Sequence, residues 1–199
     1  MSVYSRVTFR VERANVPYHV LTFSRSWKDI PPVLDKVRAL NLDVRKALIT
    51  PDSSTIFLKE SGNNSLSEEK RQQLEEYLYS THPITQEEGD VGLDYQKSIE
   101  LPSDTQILLY NIPSLTSTIC EFSCNDRIGL LSDSLAFLSS LPVEICLGHV
   151  STVSGKAHNL FHLVNSNGTP LDEQDIIYLS NVFEHEGKQN PVRYITPLY

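Results

Sequence analysis

Residues Cys124 to Asp133, CNDRIGLLSD, set Asn, Asp, Arg and Gly side by side directly before an apolar run. These residue types at this spacing suit recognition of a small zwitterion. Gly129 has no Cβ, so a ligand can approach its backbone closely, or the residue can take a positive φ. Placed where a helix begins, it stands beside backbone N–H groups and the positive end of the helix dipole, both of which attract a carboxylate. Asp126 can meet an α-amino group. The candidate ligand contacts at this corner are Asn125, Asp126, Arg127, Ile128, Gly129 and Leu130. The same residues also serve a plain cap and turn, with Asn125 or Asp126 capping the helix, Arg127 solvated and Gly129 needed only for backbone geometry.

Other reactive residue types carry weaker patterns. His158 and His162 lie four apart in a stretch that alternates like a strand. At a rise of ~3.3 Å per residue they share a face but stand ~13 Å apart, too far to hold one metal ion. Asn159 and Asn165 read as solvated-face or turn residues, and Trp27 as a buried anchor. Walker loops, G-x-S-x-G, H-E-x-x-H and C-x-x-C are all missing, and no nucleophile stands with a base. A non-catalytic protein without cofactor or metal is the expectation.

The chain carries 17 Lys and Arg against 25 Asp and Glu, a formal charge of -8. Nucleic-acid affinity comes mostly from cations neutralising phosphates, so this balance argues against such a partner. No apolar stretch approaches the ~18 residues that a membrane span needs. The N-terminal residues lack the apolar block of a secretory signal and alternate Val3, Val7, Phe9 and Val11 against polar residues, as a strand does. Cys120, Cys124 and Cys146 have no metal-ligand spacing and read as reduced, largely buried thiols. A cytoplasmic location is expected, with the plastid stroma as the alternative if a transit peptide has been removed.

The elements that must position the corner occur twice. Leu40, Leu42, Val44, Ala47 and Ile49 match Leu141, Val143, Ile145, Gly148 and Val150 at one offset, 141 − 40 = 101. Upstream, Ile30, Leu34 and Val37 match Leu131, Leu135 and Leu138, spacings that draw one apolar stripe along a helix. Downstream the offset becomes 161 − 56 = 105: Ile56, Leu58, Leu74 and Leu78 match Phe161, Leu163, Leu179 and Phe183. Ser67 and Asp172 precede the last helix of each copy as credible N-caps. The pattern predicts strands over 18–24, 42–50 and 54–60 with helices over 29–40 and 67–79. It predicts strands again over 116–124, 143–152 and 157–165 with helices over 129–140 and 172–184, and a closing strand over 192–195. Pro31 and Pro32 fit only the first turn of their helix. This is an α+β protein of two βαββαβ, ferredoxin-like units with antiparallel sheets. The expected division is 1–82 for the first unit, 83–112 for a polar, acidic linker or crossover, and 113–199 for the second. Strand-like apolar residues in QILLYNI, 106–112, end the linker.

The second copy resembles an ACT domain. The resemblance rests on FSCNDRIGLLSDSLAFLSSLPVEICLGHVST and GKAHNLFHLVNSNGTPLD. Asp126, Arg127, Gly129, Leu130 and Leu131 fall on the family's D-R-x-G-L-L corner. Gly148, Ser151 and Thr152 fall on the end of its next strand. Phe161, Val164, Gly168, Pro170 and Leu171 fall on the alternating strand and loop after that. In style the chain is similar to the tandem ACT-repeat proteins of plants and algae and to the C-terminal ACT pair of the bacterial uridylyltransferase. The resemblance covers 116–185 well and 18–79 as an architectural echo. It implies an amino-acid ligand, domains paired so that the pocket lies at an interface that brings in Cys146, Leu147, Gly148 and His149, a homodimer, and a partner enzyme controlled by contact. The first copy departs from the pattern: in SRSWKDIPP, Arg25 and Ser26 replace the Asp-Arg pair and Lys28 replaces Gly129.

Overall fold

The computed structural model describes residues 8–13, 17–23, 26–60, 66–80, 104–186 and 192–194. Val3 and Val7, most of the expected linker and the end of the closing strand lie outside them. The element order is β1 (Thr8–Arg13), β2 (Pro17–Phe23), α1 (Ile30–Ala39), β3 (Leu42–Ile49), β4 (Ser54–Glu60), α2 (Glu68–Ser80). It continues with β5 (Gln106–Asn111), β6 (Thr118–Asn125), α3 (Leu130–Ser139), β7 (Glu144–Val153), β8 (Lys156–Val164), α4 (Glu173–Glu186) and β9 (Val192–Tyr194). The fold is α+β, built from two ferredoxin-like units.

The two units share one nine-stranded sheet in the order β1-β2-β4-β3-β7-β8-β6-β5-β9. They join where β3 pairs antiparallel with β7: Ala47 faces Val150, Leu48 faces His149 and Ile49 faces Gly148. The repeat offset of 101 turns Ala47 into Gly148 and Ile49 into Val150. These pairs therefore exchange, and Leu48–His149 maps onto itself. A local two-fold axis passes through that pair. Both joining strands also bulge at matching places, between Val44 and Lys46 and between Ile145 and Leu147.

One core runs through both units. Inward residues of the strands, such as Leu21, Ile56, Leu58, Phe161 and Leu163, meet the apolar stripes of the helices, including Ile30, Leu34, Leu135 and Leu138. The period of two in the strands and of three and four in the helices sends these side chains to the same interior. α1 and α3 pack on each other across the unit boundary, where the Ser132 hydroxyl donates to Asp35 Oδ1 at 2.8 Å. Trp27 is a buried anchor, 1% exposed.

The sheet edges differ from a simple βαββαβ pattern. The place beside β6 that a closing strand would take is held by β5, from the end of the expected linker, and β9 pairs parallel with β5 one position farther out. In the first unit β1 holds the corresponding place beside β2. A hairpin between strands adjacent in sequence closes a much shorter loop than a crossover over a helix does. The hairpin is pinned by the Thr118 hydroxyl donating to Asn111 Oδ1 at 2.7 Å, while the Leu171 N–H donates to the same hydroxyl at 2.8 Å. None of the helices among the described residues is long and apolar enough to cross a membrane.

Candidate functional site

The corner Asn125–Leu130 links the end of β6 to the start of α3. Gly129 has φ 87° and ψ −1° and is the residue that opens the helix. Only glycine takes this left-handed conformation without steric cost. The preceding backbone is anchored on both sides. The Asn125 N–H donates to Asp104 Oδ2 at 2.8 Å, and the Asp126 N–H donates to the Gly155 carbonyl at 2.9 Å. Arg127 turns back onto the helix, its guanidinium 2.5 Å from Asp133 Oδ2.

The first unit supplies the opposite wall. Because β3 and β7 run antiparallel about the local axis, the start of β3 and the end of α1 arrive beside the second unit's corner. Arg45 on β3 bridges Asp43 at 2.9 Å and Asp126 at 3.7 Å. Arg38, in the last turn of α1, donates to Asp133 Oδ1 at 3.4 Å, and its side chain lies over Gly129. A Cβ placed on that glycine would stand 2.7 Å from Arg38 Cδ. Arg38, Asp43, Asp126 and Arg127 thus line one opening, formally neutral, with Asp133 and Arg45 pairing with them from outside its lining. Burial, reinforced by the nearby Asp126 carboxylate and opposed by Arg45, raises the pKa of Asp43 above its ordinary value.

Behind these charges is a narrow cleft with an internal volume of about 20 Å³, room for about one water molecule. Leu34 and Val37 of α1 form one side and Leu130 and Leu131 of α3 the other. Val150, Thr152, Ala157 and Asn159 of the sheet form the floor. Apolar walls and convergent polar groups share its lining about equally.

Asp126, Arg127, Gly129 and Leu130 line this cleft. Asn125 and Ile128 belong to the corner without lining it. Cys146, Leu147, Gly148 and His149, expected at an interface between paired domains, are not among the residues lining this cleft. Gly148 sits at the unit junction, where a Cβ would stand 3.1 Å from Ile49 Cβ and from Phe161 Cδ1. The Cys146 thiol points to the His162 carbonyl at 3.2 Å, and His149 is exposed opposite Leu48. The geometric reason is the local axis: each corner faces the start of the other unit's joining strand. Arg38, Asp43 and Asn159 are accordingly cleft residues that reading the corner alone misses, with Arg45 pairing with Asp43 and Asp126 beside them. Their signal is the repeat itself, since pairing equivalent strands antiparallel sets 43–45 against 126–130.

At the first unit's corner, side chains of the corner pair with a carboxylate of the second unit. Lys28, the counterpart of Gly129, sends its ammonium to Glu144, the counterpart of Asp43. The Trp27 indole N–H donates to the same carboxylate at 3.2 Å. The cysteines and the histidines of β8 are not among the residues lining the cleft. Cys120 and Cys124 are buried and Cys146 half-buried, all as free thiols, and burial pushes the Cys120 and Cys124 thiols up. His162 Nδ1 pairs with the Ser117 hydroxyl at 3.0 Å and His158 Nδ1 with the Ser123 hydroxyl at 3.3 Å. Among the described residues, no group of three His, Cys, Asp or Glu side chains is placed to hold a metal ion.

Compared with known proteins, the chain matches no family model and no solved structure. It is 25% identical over 161 residues to a bifunctional uridylyltransferase/uridylyl-removing enzyme of Vibrio cholerae. The match takes in 76% of this chain and 18% of that protein, so the chain is a distant homologue of one part of a much longer enzyme.

Proposed function

We propose that this chain is a non-catalytic regulatory module that binds a small amino acid between its two units and so modulates a partner enzyme of amino-acid or nitrogen metabolism. One observation carries the reading: the left-handed Gly129 corner, with Asp126 and Arg127, and the first unit's Arg38 and Asp43 converge on a single cleft of balanced charge. A zwitterion is neutral overall and presents both signs, which this alternation of Arg and Asp complements. The likeness to a segment making up 18% of a uridylyltransferase supports a module that works beside a catalytic domain.

A ligand-free ACT-fold adaptor is the second reading. It is favoured by the Arg38 side chain lying over Gly129 and by the way the cleft's charges already pair with one another. Thermal shift and calorimetry against the twenty amino acids separate the two. Ligand at 100 times its Kd adds about 2.7 kcal/mol of stability. Stabilisation by one or a few amino acids is expected; none at millimolar concentration leaves the adaptor.

A further inference from the structure

Asn159 lies on β8 opposite Val150 of β7 and Phe122 of β6. It is two residues, roughly 7 Å, farther into the sheet than Ala157. Its side chain is on the helix-facing side, on the floor of the cleft, and the residue is 2% exposed. Its neighbours on that side, Ala157 and Phe161, are apolar and buried. Asn159 Oδ1 is buried and has no hydrogen-bond partner among the described residues. An orphaned buried acceptor is costly, and such groups are rare enough to require a reason. The charged residues Arg38, Asp43, Asp126 and Arg127 line the same cleft as Asn159, so a zwitterionic head paired with them would have this oxygen within the cleft beside it.

We propose that Asn159 determines the specificity of the cleft: its Oδ1 accepts a hydrogen bond from the tip of the ligand's side chain. The ligand class is therefore a small amino acid whose side chain carries a hydroxyl or carboxamide donor. The proposal rests on the amino-acid-binding reading above and sharpens it. An apolar side chain of the same shape leaves the oxygen unpaired, and sites built to meet a polar group reject analogues lacking it more strongly than apolar pockets reject one extra group.

Calorimetry on the whole chain tests this with isosteric pairs: threonine against valine, asparagine against leucine, and glutamine against homoleucine. The donor-bearing member of at least one pair should bind about tenfold or more tightly than its isostere. Asn159→Leu should abolish or invert that ratio. The substitution replaces an unpartnered polar group by an apolar one of similar shape, so it should leave the melting temperature of the free protein unchanged or raise it. Equal binding of both members by the wild type overturns the proposal while the amino-acid site stands, and this comparison does not depend on any variant folding. A preference that survives in Asn159→Leu also overturns it, and means that the oxygen meets only an internal water. If the wild type binds no amino acid at all, the underlying reading falls and the specificity with it.

Discussion

At the scale of single residues, the corner separates a folding role from a binding role. Gly129 belongs to the fold, because its φ of 87° penalises any side chain. Gly129→Ala should cost about 1–2 kcal/mol of stability, the usual penalty for an L-residue in the left-handed region. The Arg38 side chain can move aside from the new Cβ, but the backbone strain stays. Asp126 is the cleaner probe of the site. Its carboxylate meets Arg45 only at 3.7 Å, while Arg45 keeps its closer pairing with Asp43 at 2.9 Å. Asp126→Ala should therefore cost no more than about 1 kcal/mol and still remove amino-acid-induced stabilisation. Urea denaturation with and without amino acid reads both effects. An Asp126→Ala protein that binds like the wild type would reduce the corner to a helix cap.

At the scale of elements, two features lie beyond hydrophobic patterning. One is the bulge repeated in β3 and β7. A bulge adds an unpaired residue and re-aims the side chains beside it. In β3 that residue is Arg45, which the break in register leaves able to span Asp43 and Asp126. The other is β5, which the acidic stretch before it disguises as part of a linker. Its Tyr110 hydroxyl donates to Glu121 on β6 at 2.5 Å. Burial first, and then that carboxylate, push the Tyr110 phenol up to about 12. An unfolded tyrosine loses its proton near ~10. Between these values the native state holds a proton that the unfolded state has released, so stability should fall as pH rises from 10 towards 12. The loss should be about 1 kcal/mol or less, because the pair is only half-buried and solvent screens it. Tyr110→Phe should remove this part of the alkaline fall. A variant whose alkaline curve overlays that of the wild type would show that β5 is not clamped in this way.

At the scale of the whole molecule, a shared core and a shared sheet make the two units one cooperative body. The β3–β7 junction, the packing of α1 on α3 and a continuous apolar cluster all cross the boundary. A single unfolding transition is expected by both fluorescence and circular dichroism. Gly148→Val probes the junction directly, since a new side chain there presses on Ile49 in one unit and Phe161 in the other. Overpacking of this kind costs about 1–3 kcal/mol. The single transition should move to lower denaturant without splitting. Two transitions in the wild type, or a shift in the variant confined to one of two phases, would mean that the units fold independently.

The sequence by itself determined the local elements and their doubling. The strand Ser54–Glu60 follows from alternation, and the helix Ile30–Ala39 from its apolar spacing with prolines held to the first turn. The offsets of 101 and 105 exposed the repeat, and Asn125–Leu130 stood out as a corner before a helix. All of these depend on residues within a turn or two of one another, where side-chain period and backbone preference dominate. Only the tertiary structure decided which surface meets the corner. That depends on two strands a hundred residues apart finding one register, and on a bulge that places Arg45. It also brings Arg38 of one helix over Gly129 of another and leaves Asn159 unpaired on the floor between them. Cys146 to His149 stand apart from the cleft for the same reason. Strand identity is written in local pattern, whereas the neighbour of a strand is set by which sheet edges remain free once each unit has folded.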